Sequence, residues 1–202
     1  MNLYLIRHGE KVEHTVHDDV ASITLTDKGH RQADLCGQRL LQRDIRMIYA
    51  STMTRAMQTA DEINKYLHVH IEARDALKEI DMGECATRGW DYVHATYPHF
   101  QGDFQKHETD VSYPQGECGA DVWNRAKHVI DEIIQLGLEN VAVVAHGGTI
   151  RSIICGSLGL PQEKRFFLGM PPEHCSISIL KYQDERFYLH TFNDYTHLGD
   201  LL

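Results

Sequence analysis

Two stretches constrain this chain more than any others. NLYLIRHG (residues 2–9) and NVAVVAHG (residues 140–147) share one design: an asparagine, an unbroken apolar run, then a histidine–glycine step. A strand wetted on one face alternates apolar and polar residues. A run that is apolar throughout belongs in a sheet covered on both faces, the setting of parallel strands in α/β folds. RMIYAS (46–51) is another run of this kind, and VHIEA (69–73) a shorter strand. Polar strand ends are ordinary singly, but two ending in the same His-Gly step ask for a common cause.

The segments between the strands carry helical periodicity. Thr26 stands where an N-cap would start a helix over 27–42, with Ala33, Gly37, Leu40 and Leu41 on one face. MTRAMQTADEINKYL (53–67) aligns Ala56, Ala60, Ile63 and Leu67 in one stripe. ADVWNRAKHVIDEIIQLG (120–137) aligns Val122, Ala126, Val129, Ile133 and Leu136, then stops at Gly137, a C′ glycine. TIRSIICGSLGL (149–160) starts another helix, and SISILKY (176–182) with RFYLHTF (186–192) reads as an antiparallel hairpin at the sheet edge. This alternation predicts one α/β domain, a three-layer α/β/α sandwich around a mainly parallel sheet. Residues 80–120 differ: they are rich in glycine, aromatics and histidine without clean periodicity. They read as an excursion over the carboxyl edge of the sheet, a lid or substrate wall.

Composition narrows the classes of function. A net charge of −9 over 202 residues disfavours nucleic-acid backbones and anionic membrane surfaces as partners. No apolar run approaches the roughly 20 residues of a membrane span, and the first residues enter a strand without signal-peptide features. The five cysteines are odd in number and widely spaced, without a CxxC pair, as in a reducing compartment. A cytoplasmic enzyme or binding protein is expected; a homodimer is allowed but not required.

Ligands of open α/β sheets bind beyond the carboxyl ends of the strands. There this chain places Arg7 and His8, then Ser51 with Arg55 one helical turn on, then His146, Gly147 and Gly148 at a helix start. Two arginines and two histidines in one crevice repel each other unless an anion joins them, and helix N-termini favour an anion too. Guanidinium forks can cover the equatorial oxygens of a phosphoryl group without a metal. A neutral imidazole can attack phosphorus, and a second, protonated one can stabilise the charge that remains. The strands end in basic residues, on this reading, because they jointly build a phosphoryl pocket.

With these residues in view, the chain resembles the histidine phosphatase superfamily, which includes the cofactor-dependent phosphoglycerate mutases and acid phosphatases. LIRHGE at 5–10 matches the family's Arg-His-Gly signature, and LTDKGHRQA at 25–33 resembles its first-helix opening. STMTRAMQTA at 51–60 and VAHGGTIR at 144–151 complete the set in the family's order. The resemblance implies His8 as nucleophile, Arg7 and Arg55 as phosphate clamps, and His146, with Gly147 beside it, as phosphate-binding partner. The family's proton donor lies in a Leu-x-Glu-x-x-x-Gly context, which Leu77, Glu79 and Gly83 reproduce; Asp81 and Glu84 are nearby alternatives. Beside a phosphate, like charge favours the protonated form of a carboxyl. Relatives commonly carry Ser or Thr, then Asn, where this chain has Lys11 and His14. Both can donate to phosphate and suit a more anionic substrate, or they are a solvated lysine and a loop histidine. The long insertions and glycine–tryptophan motif of glycolytic mutases are absent, which favours the phosphatase branch.

The expectation is therefore a phosphomonoesterase that needs neither metal nor cofactor and acts on a small phosphorylated metabolite. The rivals are a mutase-type phosphotransferase and a non-catalytic phospholigand-binding module. His68 and His70, at HxH spacing, read as surface histidines, and His94, His99 and His107 as loop histidines. Trp90, Tyr92, Tyr97 and Phe100 fit substrate contact and lid packing equally.

Overall fold

In the computed structural model, which describes residues 1–13, 15–168 and 171–201, the apolar runs assemble into one sheet. Its strands are β1 (Asn2–Arg7), β2 (Met47–Ser51), β3 (His70–Arg74), β4 (Asn140–Ala145), β5 (Ile177–Gln183) and β6 (Arg186–Asp194). Across the sheet they run β3-β2-β4-β1-β5-β6. The pairs β2–β3, β2–β4 and β1–β4 are parallel, and the β5–β6 hairpin adds antiparallel to β1. The hairpin turns on Asp184 and Glu185, both at positive φ (51° and 58°), which matches the right-handed twist of the flanking strands.

The two echoed sequences lie side by side. Asn2 faces Asn140 and Arg7 faces Ala145, and the Asn2 side chain donates to Asn140 Oδ1 at 2.8 Å. One residue further on, the His8 N–H donates to Ala145 O at 2.9 Å. The matched asparagines thus start the two strands in step, so both His-Gly ends arrive at one edge together. A shift of one residue would turn every side chain to the opposite face.

The helices are α1 (Asp27–Leu40), α2 (Thr54–Leu67), α3 (Glu84–Thr87), α4 (Trp90–Thr96), α5 (Phe100–Lys106), α6 (Gly119–Leu136) and α7 (Gly147–Ser157). Along β1, Tyr4 and Ile6 pack with Ala33, Leu40, Ala56 and Ile63 of α1 and α2. Leu3 and Leu5, on the other face, pack with Ala126, Ile130, Ile153 and Ile154 of α6 and α7. This period-2 division makes the middle layer of the sandwich. Leu3, Leu5 and Ile6 have no exposed surface, and truncating any of them to alanine would cost about 2–5 kcal/mol. Thr26 caps α1, its Oγ1 accepting from the Gly29 N–H at 3.0 Å, and α6 ends on Gly137 at φ 65°.

Two expectations need correction. Helix α7 begins at Gly147 rather than Thr149, because the Glu79 carboxylate accepts the N–H groups of Gly148 and Thr149 that a helix start leaves open. The 80–120 excursion is not irregular: α3, α4 and α5 gather around Cys85, Val93 and Phe100, with Phe104 and Tyr113 packed against them. Helices of four to seven residues complete two turns at most, too few to print a periodicity. Asp110 ties the excursion down by accepting from Gly119 N (2.9 Å) and Ala120 N (2.7 Å) and pairing with the buried Arg165 guanidinium. All five cysteines are unpaired. Among the described residues no helix is long and apolar enough to cross a membrane.

Candidate active site

The carboxyl edge of β1 and β4 holds a buried imidazole pair. His8 is 3 % exposed and His146 is fully buried, with ring centroids 5.0 Å apart. The His8 Nδ1 lies 2.7 Å from the carbonyl of Gly9. A carbonyl only accepts, so Nδ1 carries the proton and Nε2 the lone pair. Arg55, in the first turn of α2, donates from Nε to that Nε2 at 3.2 Å. Its other nitrogens donate to Val20 O at 2.8 Å and to Met53 Sδ at 3.4 Å. Thr59, one turn along α2, accepts from Gly9 N at 3.0 Å and so fixes the loop that carries the nucleophile candidate.

The second ring, His146, meets a hydroxyl. Its Nε2 lies 2.8 Å from Ser51 Oγ at the end of β2, and that hydroxyl already accepts from Met53 N at 3.3 Å. With Nε2 as the acceptor of the Ser51 proton, the His146 proton sits on Nδ1. Nδ1 is buried and has no partner among the described residues, and the same holds for Arg7 Nε. An unpaired buried donor is costly, and an oxyanion in the crevice would satisfy both.

The electrostatics fit the same ligand. Burial, then the charges of His146, Arg55 and Arg7, push His8 well below its usual 6.5. Burial, then Arg55 and Arg7, does the same to His146. Both shifts favour the neutral imidazole, against the protonated partner expected from the sequence. Burial also lowers Arg7 and Arg55, against the opposing pull of the Glu79 charge. A dianion entering here meets guanidinium groups already stripped of water.

Glu79 sits in the loop beyond β3, against the N-terminus of α7. Its Oε1 accepts from Ile80 N at 2.9 Å and Thr149 N at 3.0 Å, and its Oε2 from Gly148 N at 3.2 Å. Arg125 of α6 braces the loop from behind, donating to Ala76 O at 2.6 Å and Glu79 O at 3.1 Å. Asp81 and Glu84, the alternatives, are engaged elsewhere: Asp81 with Gly83 N at 2.8 Å, and Glu84 with the Tyr97 hydroxyl at 2.7 Å.

Lys11 joins the site. Burial, then the nearby charges of Arg55 and Arg7, lowers its pKa. His14 lies outside the described residues. Gly147 opens α7 against Arg7, where an added Cβ would stand 3.7 Å from Arg7 Nε. Sequence reasoning passed over His174, whose ring centroid is 5.5 Å from that of His8. Burial, followed by the Arg7 charge, pulls its pKa to about 4. Its one signal was position, three residues before the strand that pairs with β1. Ser51 was quoted as part of a motif, but its hydrogen bond to His146 was not anticipated. His70 pairs with Glu72 at 3.0 Å and His68 ends α2. Among the described residues no group of three or more His, Cys, Asp or Glu is placed to hold a metal ion.

A neutral imidazole with its lone pair toward a guanidinium stands at the carboxyl edge of a mainly parallel sheet, with a second buried imidazole beside it. The chain belongs to the histidine phosphatase superfamily (branch 1), whose family model matches residues 3–195. It is 27 % identical to phosphoserine phosphatase 1 of Hydrogenobacter thermophilus, over 99 % of this chain and 95 % of that one. It is 28 % identical to a probable phosphoglycerate mutase, GpmB, of Erwinia tasmaniensis, over 99 % and 96 % of the two chains. Its fold is that of a mycobacterial glucosyl-3-phosphoglycerate phosphatase solved with inorganic phosphate, with a TM-score of 0.84, 22 % identity, and coverage of 97 % and 98 %. An α-ribazole phosphatase from Shigella flexneri shares it at a TM-score of 0.79, 19 % identity, and coverage of 96 % and 97 %.

Proposed function

We propose that the chain is a metal-independent phosphomonoesterase that hydrolyses a small phosphorylated metabolite through a phosphohistidine on His8. The observation that carries this reading is the orientation of His8: Nδ1 is held by Gly9 O, and Nε2 faces Arg55 with its lone pair available. Glu79 takes up a solvent proton as the anionic ester binds beside it; in the first step Nε2 then attacks phosphorus, the bond from phosphorus to the alcohol oxygen breaks, and Glu79 gives that oxygen the proton. The carboxylate so formed keeps the α7 N–H groups as partners. In the second step Glu79 takes a proton from water, the hydroxide attacks phosphorus, and the P–N bond breaks to restore the imidazole. Arg7, Arg55 and Lys11 balance the phosphoryl charge, and the His146 Nδ1–H donates to one of its oxygens, with Gly147 packed alongside. Four cationic or donor side chains cover the role a metal plays in other phosphatases.

The test is to quench turnover of a labelled ester within milliseconds and look for an acid-labile, base-stable phosphoprotein. Label on His8, absent from His8→Ala together with all turnover, is the expected outcome; an active His8→Ala protein would end the proposal. The phosphoglycerate mutase name of a relative at 28 % identity favours a second reading, in which the phosphoenzyme resists water and returns the group to an acceptor. Orthophosphate accumulating from a simple ester decides for hydrolysis; isomerisation of phosphoglycerate without release decides for transfer.

A further inference from the structure

A cavity of about 600 Å³ opens beside Glu79, between the loop after β1 and the α3–α4 segment. Its volume falls within the ordinary range for small-molecule sites. Its walls are largely apolar, built from Val16, Val20, Met53, Ile80, Met82 and Trp90. Two of these walls also touch the phosphate end: Arg55 donates to the Val20 carbonyl and to the Met53 sulfur. The cavity thus has Glu79 on its wall and reaches the guanidinium beside His8. When a phosphate ester lies in the crevice with its bridging oxygen at Glu79, the alcohol's body has this space to occupy.

The charges of the cavity say what that body is. Asp19 and Asp81 join Glu79 in lining it, and Lys78 is the one lysine or arginine among the described lining residues. Lys78 Nζ is already paired with Asp75 at 3.0 Å. Arg88, nearby on the chain, lies 3.9 Å over the Tyr92 ring and pairs with Glu84. Among the described residues no guanidinium fork lines the cavity to receive a carboxylate, and three carboxylates would repel one. Val16 and Trp90, both on its wall, remain 40 % and 41 % exposed. Val16 lies against the turn that opens α4, since a Cβ on Gly89 would stand 3.9 Å from Val16 Cγ1. A ring entering here would cover both.

We propose that this cavity is the leaving-group subsite and that it selects phosphomonoesters of neutral, ring-bearing alcohols over those of carboxylate-bearing alcohols such as serine or glycerate. This rests on the phosphatase reading above and gives it a substrate class.

The experiment measures kcat/KM for orthophosphate release from 2-phenylethyl phosphate, ethyl phosphate and O-phosphoserine. All three are primary alkyl esters, so the comparison does not merely rank leaving groups by basicity. The phenylethyl ester is expected to exceed both others by about tenfold or more, the discrimination an apolar pocket supplies for a few carbons. Ala86→Trp fills the cavity, and Val16→Glu, at an exposed position, adds a charge to its mouth. Each is expected to bring the phenylethyl-to-ethyl ratio within roughly threefold of unity, with thermal melts confirming that the variant is folded. Should Ala86→Trp fail to fold, Val16→Glu and the unmodified protein still decide. Equal or better turnover of O-phosphoserine, or a ratio unmoved in a folded variant, overturns the assignment while the His8 chemistry stands. Failure of all three esters to release phosphate overturns both.

Discussion

Gly148→Ala offers a sharp test of how Glu79 works, because the geometry fixes what the methyl group would hit. A Cβ built on Gly148 stands 2.7 Å from Glu79 Oε1 and 2.9 Å from Ile80 Cγ2, closer than real Cβ contacts come. The carboxylate must move, giving up its bonds from Gly148 N at 3.2 Å and Thr149 N at 3.0 Å. Hydrogen bonds to a charged group contribute about 1.5–3 kcal/mol each. Alanine returns at most about 1 kcal/mol of helix propensity in the first turn of α7, so the displacement wins. A positioned general acid contributes roughly 10²–10⁴ in rate, but only where the departing oxygen needs a proton. The assay is therefore kcat on two esters, ethyl phosphate and 4-nitrophenyl phosphate, whose nitrophenolate leaves unaided. Gly148→Ala is expected to slow the alkyl ester by about 10²-fold or more and the nitrophenyl ester by less than about tenfold, and Glu79→Gln should reproduce the split. Equal losses on both esters would mean that the substitution disturbed phosphate binding at the neighbouring His146 instead. No loss on either would refute the role given to Glu79.

Ser51→Ala removes the hydroxyl that holds the His146 proton on Nδ1; with about 1–3 kcal/mol at stake, kcat/KM should fall roughly 10- to 100-fold. The nitrogen-15 shifts of His146 should move away from the Nδ1–H form, and activity within about twofold of the unmodified protein would show the tautomer assignment wrong. The buried histidines also set a pH dependence of stability. The folded values of His8, His146 and His174 all lie below the usual 6.5, that of His174 at about 4, so below pH 6.5 the unfolded chain binds more protons. Stability is full above that pH and falls with acidification, the His174 share running out near pH 4. Melting temperatures across this window should show the fall, and His174→Asn should flatten it; an unchanged slope would remove His174 from the account.

Much of the fold was legible because burial on both faces leaves a mark at every strand position. The runs at 2–6, 46–51 and 140–145 became β1, β2 and β4 nearly to the residue, and the hairpin at 176–192 became β5 and β6. Stripes long enough to repeat named α1, α2 and α6. The sequence-based reading missed α3 to α5, whose helices are short and whose apolar residues serve a local cluster around Val93 and Phe100 rather than the main core. It also missed the true start of α7, since a helix capped by a glutamate from another part of the chain carries no cap of its own. Contacts distant in sequence decided both cases.

The candidate site divides along the same line. Arg7, His8, Arg55 and His146 were legible because topology alone carries strand ends and helix starts to one edge, and the parallel register of β1 and β4 needs only matched strand lengths. What spacing cannot show is which atom faces which. The proton on His8 depends on the Gly9 carbonyl, that on His146 on a serine of β2, and the seating of Glu79 on two glycine-flanked N–H groups of α7. These are hydrogen-bond choices, and each leaves a reactive group neutral or correctly oriented inside a ring of positive charge. The burial that stabilises β1 and β4 also strips water from Arg7, Arg55 and the two histidines. The same strands that bury the core therefore impose the electrostatic strain at its edge, and a dianionic phosphoryl group, the ligand proposed above, would relieve it by its charge.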